Sequence, residues 1–324
     1  MGIGVLCGLL AGAFWGMVFI APKLLPVFSP WELAIGRYLA YGLVALVATL
    51  PLMRRIARKL TRADCIALLR QAFTGNLLYY VLLAFGVQLA GVGPTSLIIG
   101  ILPISVTLMG RRDQGAVPLR RLILPLLVVA MGIACINIDL FSGFGGDGGG
   151  GAHGAAVDAV ARPVWQKFAG VLCAAGALVC WTLYAVDNAR YLQRNPHFSG
   201  NEWSALYGLS TGLVSLVLAA IGWLAFGDQL TAPGSGRDWQ WFWTVNAAVA
   251  LGASLIGNNL WNISSRRLPL TLSGQMIVFE TLFALAYGFA FDHRWPRPLE
   301  IAAIVLLMIG VAWSVRLHAT DKSQ

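Results

Sequence analysis

The residue with the sharpest chemical meaning is Glu280. It lies midway through a long apolar segment, in Met276-Ile277-Val278-Phe279-Glu280-Thr281-Leu282-Phe283. A carboxylate facing lipid at that depth costs a few kcal/mol, so it should face inward. Helical spacing puts Ser273 seven residues before it and Tyr287 seven after it on one face. Two chemistries suit such an acid: it binds an amine, or it takes up and releases a proton. Holding helices together through a buried partner is the competing role. Arg37, in the first turns of the second apolar segment, is the obvious opposite charge. It would hold a carboxylate or pair with Glu280; snorkelling to the interface remains open.

Around these charges the apolar segments carry groups that bind without reacting. Asn76, Tyr79 and Tyr80 lie in the third segment, and Ser254, Asn258 and Asn262 recur at four-residue steps in the eighth. Amides and phenols donate and accept hydrogen bonds to an uncharged or zwitterionic solute. They equally join helices at roughly 0.6–2 kcal/mol per bond. Trp15 and Trp181 sit too deep to be interfacial anchors, and Tyr184 follows Trp181 on nearly the same face. They are aromatic walls of a cavity or fillers between helices. Gly8, Gly12 and Gly16 make a smooth face for close helix approach. Pro103 is the hinge candidate, because a proline inside a helix frees a carbonyl towards its surroundings. Glu32, near a segment end, reads as a solvated terminal residue.

Catalysis is not indicated. The histidines His153, His197, His293 and His318 lie in loops or at segment ends, and the five cysteines show no metal spacing. An intramembrane enzyme would need clustered catalytic groups at one depth. No motif calls for a cofactor. The phosphate-binding pattern Gly-x-x-x-x-Gly-Lys-Ser/Thr is absent, so the chain does not hydrolyse ATP itself.

Composition names the solvent these residues work in. Of 324 residues, 58% are hydrophobic and 11% charged, with a mean hydropathy of +0.72. A water-soluble chain carries roughly a quarter charged residues. Lipid must therefore cover this surface. The net charge of +9 sits in short loops without an aromatic–basic surface, which argues against nucleic acid.

A spanning helix needs about 20 apolar residues. Ten candidates lie near 3–22, 31–52, 64–88, 94–110, 119–139, 168–188, 202–226, 241–262, 269–290 and 299–317. Their apolar runs are continuous rather than alternating, as helices and not barrel strands require. The first helix reads as retained rather than as a cleaved signal. With a cytoplasmic N-terminus, fifteen Lys and Arg fall on the inner side and six on the outer, with Arg37 and Arg70 inside segments. The positive-inside bias then places both termini in the cytoplasm.

Gly4-Val5-Leu6-Cys7 recurs as Gly170-Val171-Leu172-Cys173, and Trp15 matches Trp181 at the same offset. Five segments per half is an odd number, so the second half enters from the opposite side. The expected fold is an all-α membrane protein of ten transmembrane helices in two inverted five-helix repeats. Residues 1–140 form the first repeat, 141–166 a glycine-rich periplasmic linker, 167–318 the second repeat and 319–324 a cytoplasmic tail. Two such bundles would enclose a polar pathway between them.

Trp261-Asn262 followed by Arg266-Arg267-Leu268-Pro269 is similar to the eighth-helix end and turn of the EamA branch of the drug/metabolite transporter superfamily. Gly93-Pro94-Thr95 through Pro103-Ile104-Ser105-Val106-Thr107 resembles that family's fourth helix. The Gly-Glu often found there after the fourth and ninth helices is replaced by Arg111-Arg112-Asp113 and Phe291-Asp292. Glu280 is not a general family feature, and the linker is longer and richer in glycine. The resemblance implies a ten-helix fold moving small metabolites, commonly amino acids, often outward.

The expectation is a secondary transporter in a bacterial-type inner (plasma) membrane, exporting small metabolites such as amino acids by alternating access. Protons are a partner if Glu280 carries them. A broad drug or organic-cation exporter is the alternative, and monomer and homodimer both stay open.

Overall fold

The computed structural model describes residues 1–143, 163–230 and 236–321. Residues 144–162 of the expected linker, Arg162 among them, and the end of the tail lie outside the described residues; the linker's expected edges, 141–143 and 164–166, are helical instead. Within them the chain is helical, without strands. Among the described residues nine helices are long and apolar enough to cross a membrane: α1 (Gly2–Leu24), α2 (Trp31–Thr49), α3 (Arg62–Ala90), α4 (Pro94–Arg112), α5 (Leu119–Ile138), α6 (Val164–Arg194), α7 (Gly200–Leu224), α9 (Leu270–Phe291) and α10 (Pro298–Thr320). Between α7 and α9 a further unbroken helical run, α8 (239–267), is equally long. Its four asparagines dilute its hydropathy.

Polar side chains at the helix starts explain where the helices begin. Ser29 and Glu32 form a reciprocal capping box at α2: the Ser29 N–H donates to Glu32 Oε2 at 2.8 Å, and the Glu32 N–H to Ser29 Oγ at 3.3 Å. Pro30 follows at the first helical position, where its missing N–H costs nothing. Thr61 and Asp64 repeat the box at α3, and Ser199 and Glu202 repeat it at α7. Each such cap stabilises a helix by about 1 kcal/mol. Glu32 is thus not a solvated end residue: it is 9% exposed and caps α2.

Small residues decide which helices touch. On α1, a Cβ added to Gly12 would lie 2.6 Å from Phe279 Cβ and 2.8 Å from the Glu280 backbone nitrogen. Gly8 meets Met276, and Gly16 meets the Ala284 backbone. The expected smooth face therefore packs α1 onto α9. Gly42 of α2 and Gly212 of α7 approach each other backbone to backbone, each added Cβ falling 2.6–2.7 Å from the other's Cα. Gly132 of α5 meets Leu307 of α10, and Gly310 of α10 meets Val129 of α5. Gly170 of α6 sits on Ala90 of α3. The main pairings, α5 with α10, α2 with α7, α3 with α6 and α1 with α9, each join one helix from either half. The halves interleave, and both large core clusters draw residues from both of them, rather than standing as two separate bundles.

Candidate functional site

Both third helices depart from α geometry at corresponding places. In α3, Phe73–Leu78 forms a π-helical stretch; in α8, Ala250–Gly257 does the same. A π turn inserts one residue per turn and re-aims the side chains beyond it, and such turns gather at functional sites. Asn76 sits inside the first stretch and Asn258 directly after the second. The simple four-residue periodicity read from the sequence is therefore interrupted at both amides.

The groups that these helices carry converge between α1, α2, α3, α6, α8 and α9. The Arg37 Nε–H donates to Ser254 Oγ at 3.2 Å, which anchors the guanidinium to α8 while its fork stays free for another acceptor. Its Cζ lies 5.5 Å from the Tyr38 ring centroid. Tyr41, one turn along, donates to the Ser204 carbonyl at 2.6 Å and accepts from Asn258 Nδ2 at 3.4 Å. Asn76 Nδ2 donates to Thr211 Oγ1 on α7 at 2.8 Å. Arg37, Asn76, Tyr79, Tyr80, Asn258 and Glu280 are all half-buried.

Glu280 makes no hydrogen bond or ion pair with a described residue. Arg37 and Tyr79 nevertheless lie within electrostatic reach of it. Arg37 and Glu280 attract each other without closing into a salt bridge. Among the described residues the direct pairing weighed from the sequence is absent, and the Arg37 Nε–H goes to Ser254 instead. Gly12 explains how the acid comes so close to α1: any side chain there would strike the α9 backbone at Glu280.

Beside these charges stands an aromatic cluster. Trp15 and Trp181 meet edge-to-face, with centroids 6.2 Å apart at 83°. Trp261 joins both, at 5.2 and 6.4 Å. Tyr184 lies 5.8 Å from Trp181 and stacks on Tyr207 at 5.3 Å. Such pairs contribute about 0.5–1.5 kcal/mol each beyond burial. Trp15 is buried, whereas Trp181 is half-buried and offers a ring surface.

Two candidates stand apart. Ser273 is fully buried and its hydroxyl donates to the Pro269 carbonyl of its own helix at 3.0 Å. Ile277, with helical dihedrals of φ −60° and ψ −28°, joins it to the helical piece that carries Glu280. Pro103 is buried at the start of the second piece of α4, Leu102–Met109, just after that helix is interrupted at Gly100 and Ile101. Asn262 packs rather than lines, accepting from Asn188 Nδ2 at 2.9 Å. Sequence reasoning missed Tyr38, Ser204, Tyr207 and Thr211. Tyr38 adjoins Arg37 and was legible in principle; the other three lie on α7, where no spacing marks them.

Opposite charges, amides and aromatic rings gathered along the helices of a multi-pass membrane protein, with both halves contributing, are the construction of a membrane transporter. The chain belongs to the EamA-like transporter family, whose model matches residues 2–138 and 168–316. That makes it a transporter and not an enzyme. It is similar to the inner membrane protein YtfF of Escherichia coli (strain K12), with 35% identity over 322 residues, 97% of this chain and 95% of that protein. A solved structure described as "Crystal structure of protein" has a TM-score of 0.66 at 21% identity, covers 98% of each chain, and supports the fold alone.

Proposed function

We propose that this chain is a secondary carrier of a bacterial inner membrane that exports small metabolites, amino acids first among them, by alternating access. In this reading all ten helices cross, α8 included, with both termini and the Arg54–Arg62 turn cytoplasmic and the glycine-rich linker outside. The loop-charge bias supports that orientation, and the inner-membrane location of the 35% identical relative supports the membrane.

One observation carries the substrate reading. Arg37 and Glu280 stand opposed, in electrostatic reach and unpaired with each other. A zwitterion satisfies both: its carboxylate goes to the guanidinium fork and its ammonium to the acid. Asn76, Asn258, Tyr79 and Tyr80 supply hydrogen bonds, and Trp15 and Trp181 supply a wall for an apolar side chain. Glu280 also takes the proton if the empty site returns loaded with one. The second reading, a broad organic-cation exporter, is favoured by the absence of any described partner for Glu280 beside three tryptophans.

The experiment is purified protein in liposomes, tested with a panel of amino acids and organic cations with and without a pH gradient. Amino-acid flux driven by the gradient is expected. Cation flux with no amino-acid flux would hand the case to the second reading.

A further inference from the structure

Among the described residues, Arg266 carries its charge without a hydrogen-bonded partner. It stands in the last turn of α8 and is half-buried, and its Nε and Nη2 are both buried with no acceptor. Burying charged donors without an acceptor is costly. A guanidinium cannot escape that cost by losing its proton. The C-terminal dipole of α8 favours a cation there, but it offers no acceptor to these two nitrogens.

The surroundings show what kind of partner is wanted. A Cβ added to Gly200, the first residue of α7, would lie 2.9 Å from Asn259 Oδ1 and 3.1 Å from Ile263 Cγ1. Asn259, Ile263 and Arg266 follow at steps of four and three, so they share the face of α8 that covers the start of α7. The acid within electrostatic reach of Arg266 is Glu202, in the capping box of α7. Both of its oxygens are engaged. Oε1 accepts from Lys59 at 3.1 Å and lies 3.5 Å from Arg55 Nε; Oε2 accepts the Ser199 N–H at 2.8 Å and lies 3.2 Å from Lys59. Glu202 and its counterpart Glu32, which accepts from Arg237 at 2.9 Å, each join the two halves. At the Glu202 end three cations gather around one carboxylate that is already spent. Arg55 is 68% exposed, on the short helix Met53–Lys59, and is able to turn towards a ligand.

We infer that Arg266, with Arg55 and Lys59 beside it, forms a site for one phosphate group between the start of α7 and the end of α8, and that the headgroup of an anionic phospholipid supplies it. A guanidinium fork matches a phosphate with two parallel N–H donors. Basic pockets between the ends of membrane helices lie at headgroup level. Leu50 and Met53, beside Arg55 in the chain, are 59% and 39% exposed, apolar surface for the acyl chains of the same lipid. The site is separate from the one proposed for solute: Ser254, which holds Arg37, lies twelve residues earlier on α8, about 18 Å along the axis. In the orientation proposed above this end is cytoplasmic, but the site requires only a membrane face.

A ligand bound only by the folded chain raises its stability by mass action. The test is the thermal midpoint of the purified full chain in detergent, titrated with phosphatidylglycerol, phosphatidylcholine or inorganic phosphate. Phosphatidylglycerol is expected to raise the midpoint, and the other two are not. Arg266→Gln should move the half-maximal phosphatidylglycerol concentration up by about tenfold or more, as loss of a charged hydrogen-bonded contact does. Without lipid its midpoint should equal or exceed the parent's, because no protein partner is lost. Arg54→Gln removes the same charge from an exposed position and should leave the lipid response unchanged. Arg266→Lys keeps the charge without the fork and should weaken the response in the same direction; it serves where the Gln variant does not express. No response in the parent, or equal losses in Arg54→Gln and Arg266→Gln, overturns the site. A lower lipid-free midpoint in Arg266→Gln overturns it too, by showing that the side chain has a protein partner. A response to inorganic phosphate equal to that to phosphatidylglycerol overturns the lipid as its source.

Discussion

At the scale of single residues, the proposed site holds two opposite charges, Arg37 and Glu280, near each other and unjoined. In that reading, a closed buried pair would have to be broken by a solute, which would lose much of its binding energy. The Arg37 Nε–H is engaged by Ser254 on α8 instead. Two substitutions divide the chemistry. Arg37→Gln removes the carboxylate clamp and should weaken amino-acid binding about ten- to a hundred-fold, the value of a charged hydrogen-bonded contact, while leaving organic cations nearly unchanged. Binding to purified protein by calorimetry checks this, and equal losses for both ligands would remove Arg37 from the clamp. Glu280→Gln keeps the shape and deletes the titrating proton. Gradient-driven flux should disappear while solute exchange persists, and normal gradient-driven flux would refute coupling through this acid. Glu280, Arg37, Trp15 and Trp181 could be singled out in the sequence because charges and deep tryptophans inside apolar segments are conspicuous. Ser273 looked equally good on spacing. Its hydroxyl is fully buried and turned to the Pro269 carbonyl, and burial is set by packing between helices, which spacing does not record.

At the scale of elements, glycine placement selects helix partners. In a helix interior, Gly→Ala ordinarily gains about 0.5–1 kcal/mol of propensity. At Gly42 the new methyl would lie 2.7 Å from the Gly212 Cα, a backbone atom that cannot rotate away. Overpacking of that kind costs about 1–3 kcal/mol, so the steric cost wins and Gly42→Ala should lower the thermal midpoint in detergent. Gly288→Ala is the control, because an added Cβ there meets nothing within 4 Å, and it should be neutral or stabilising. Equal midpoints for the two variants would show that α2 and α7 do not need this contact. The capping boxes at Ser29, Thr61 and Ser199 could be read from their Ser/Thr-x-x-Glu/Asp pattern. The π stretches at Phe73–Leu78 and Ala250–Gly257 carry no comparable pattern, since nothing in local propensity demands an extra residue per turn.

At the scale of the whole molecule, each half contributes one helix to every principal pairing and both large core clusters draw on both halves, so the fold cannot be cut into two stable pieces. If the second half is inverted, a cysteine at Arg58 should react with an impermeant reagent only from the cytoplasmic face and one at Asp147 only from outside. Reaction of both from one face would end the inverted-repeat reading.

Residue order alone determined that this chain lives in lipid, that it is helical, that it is built twice, and which charges are too costly to be incidental. Those conclusions follow from transfer energies and periodicity, which are local properties of the chain. Only the tertiary structure decided that Arg37 is held by Ser254 and not by Glu280, that Glu32 and Glu202 join opposite halves, and that glycine meets glycine between α2 and α7. Each depends on the rotation and crossing of helices about their axes. Side-chain packing between segments distant in sequence sets that rotation, and hydropathy carries no record of it.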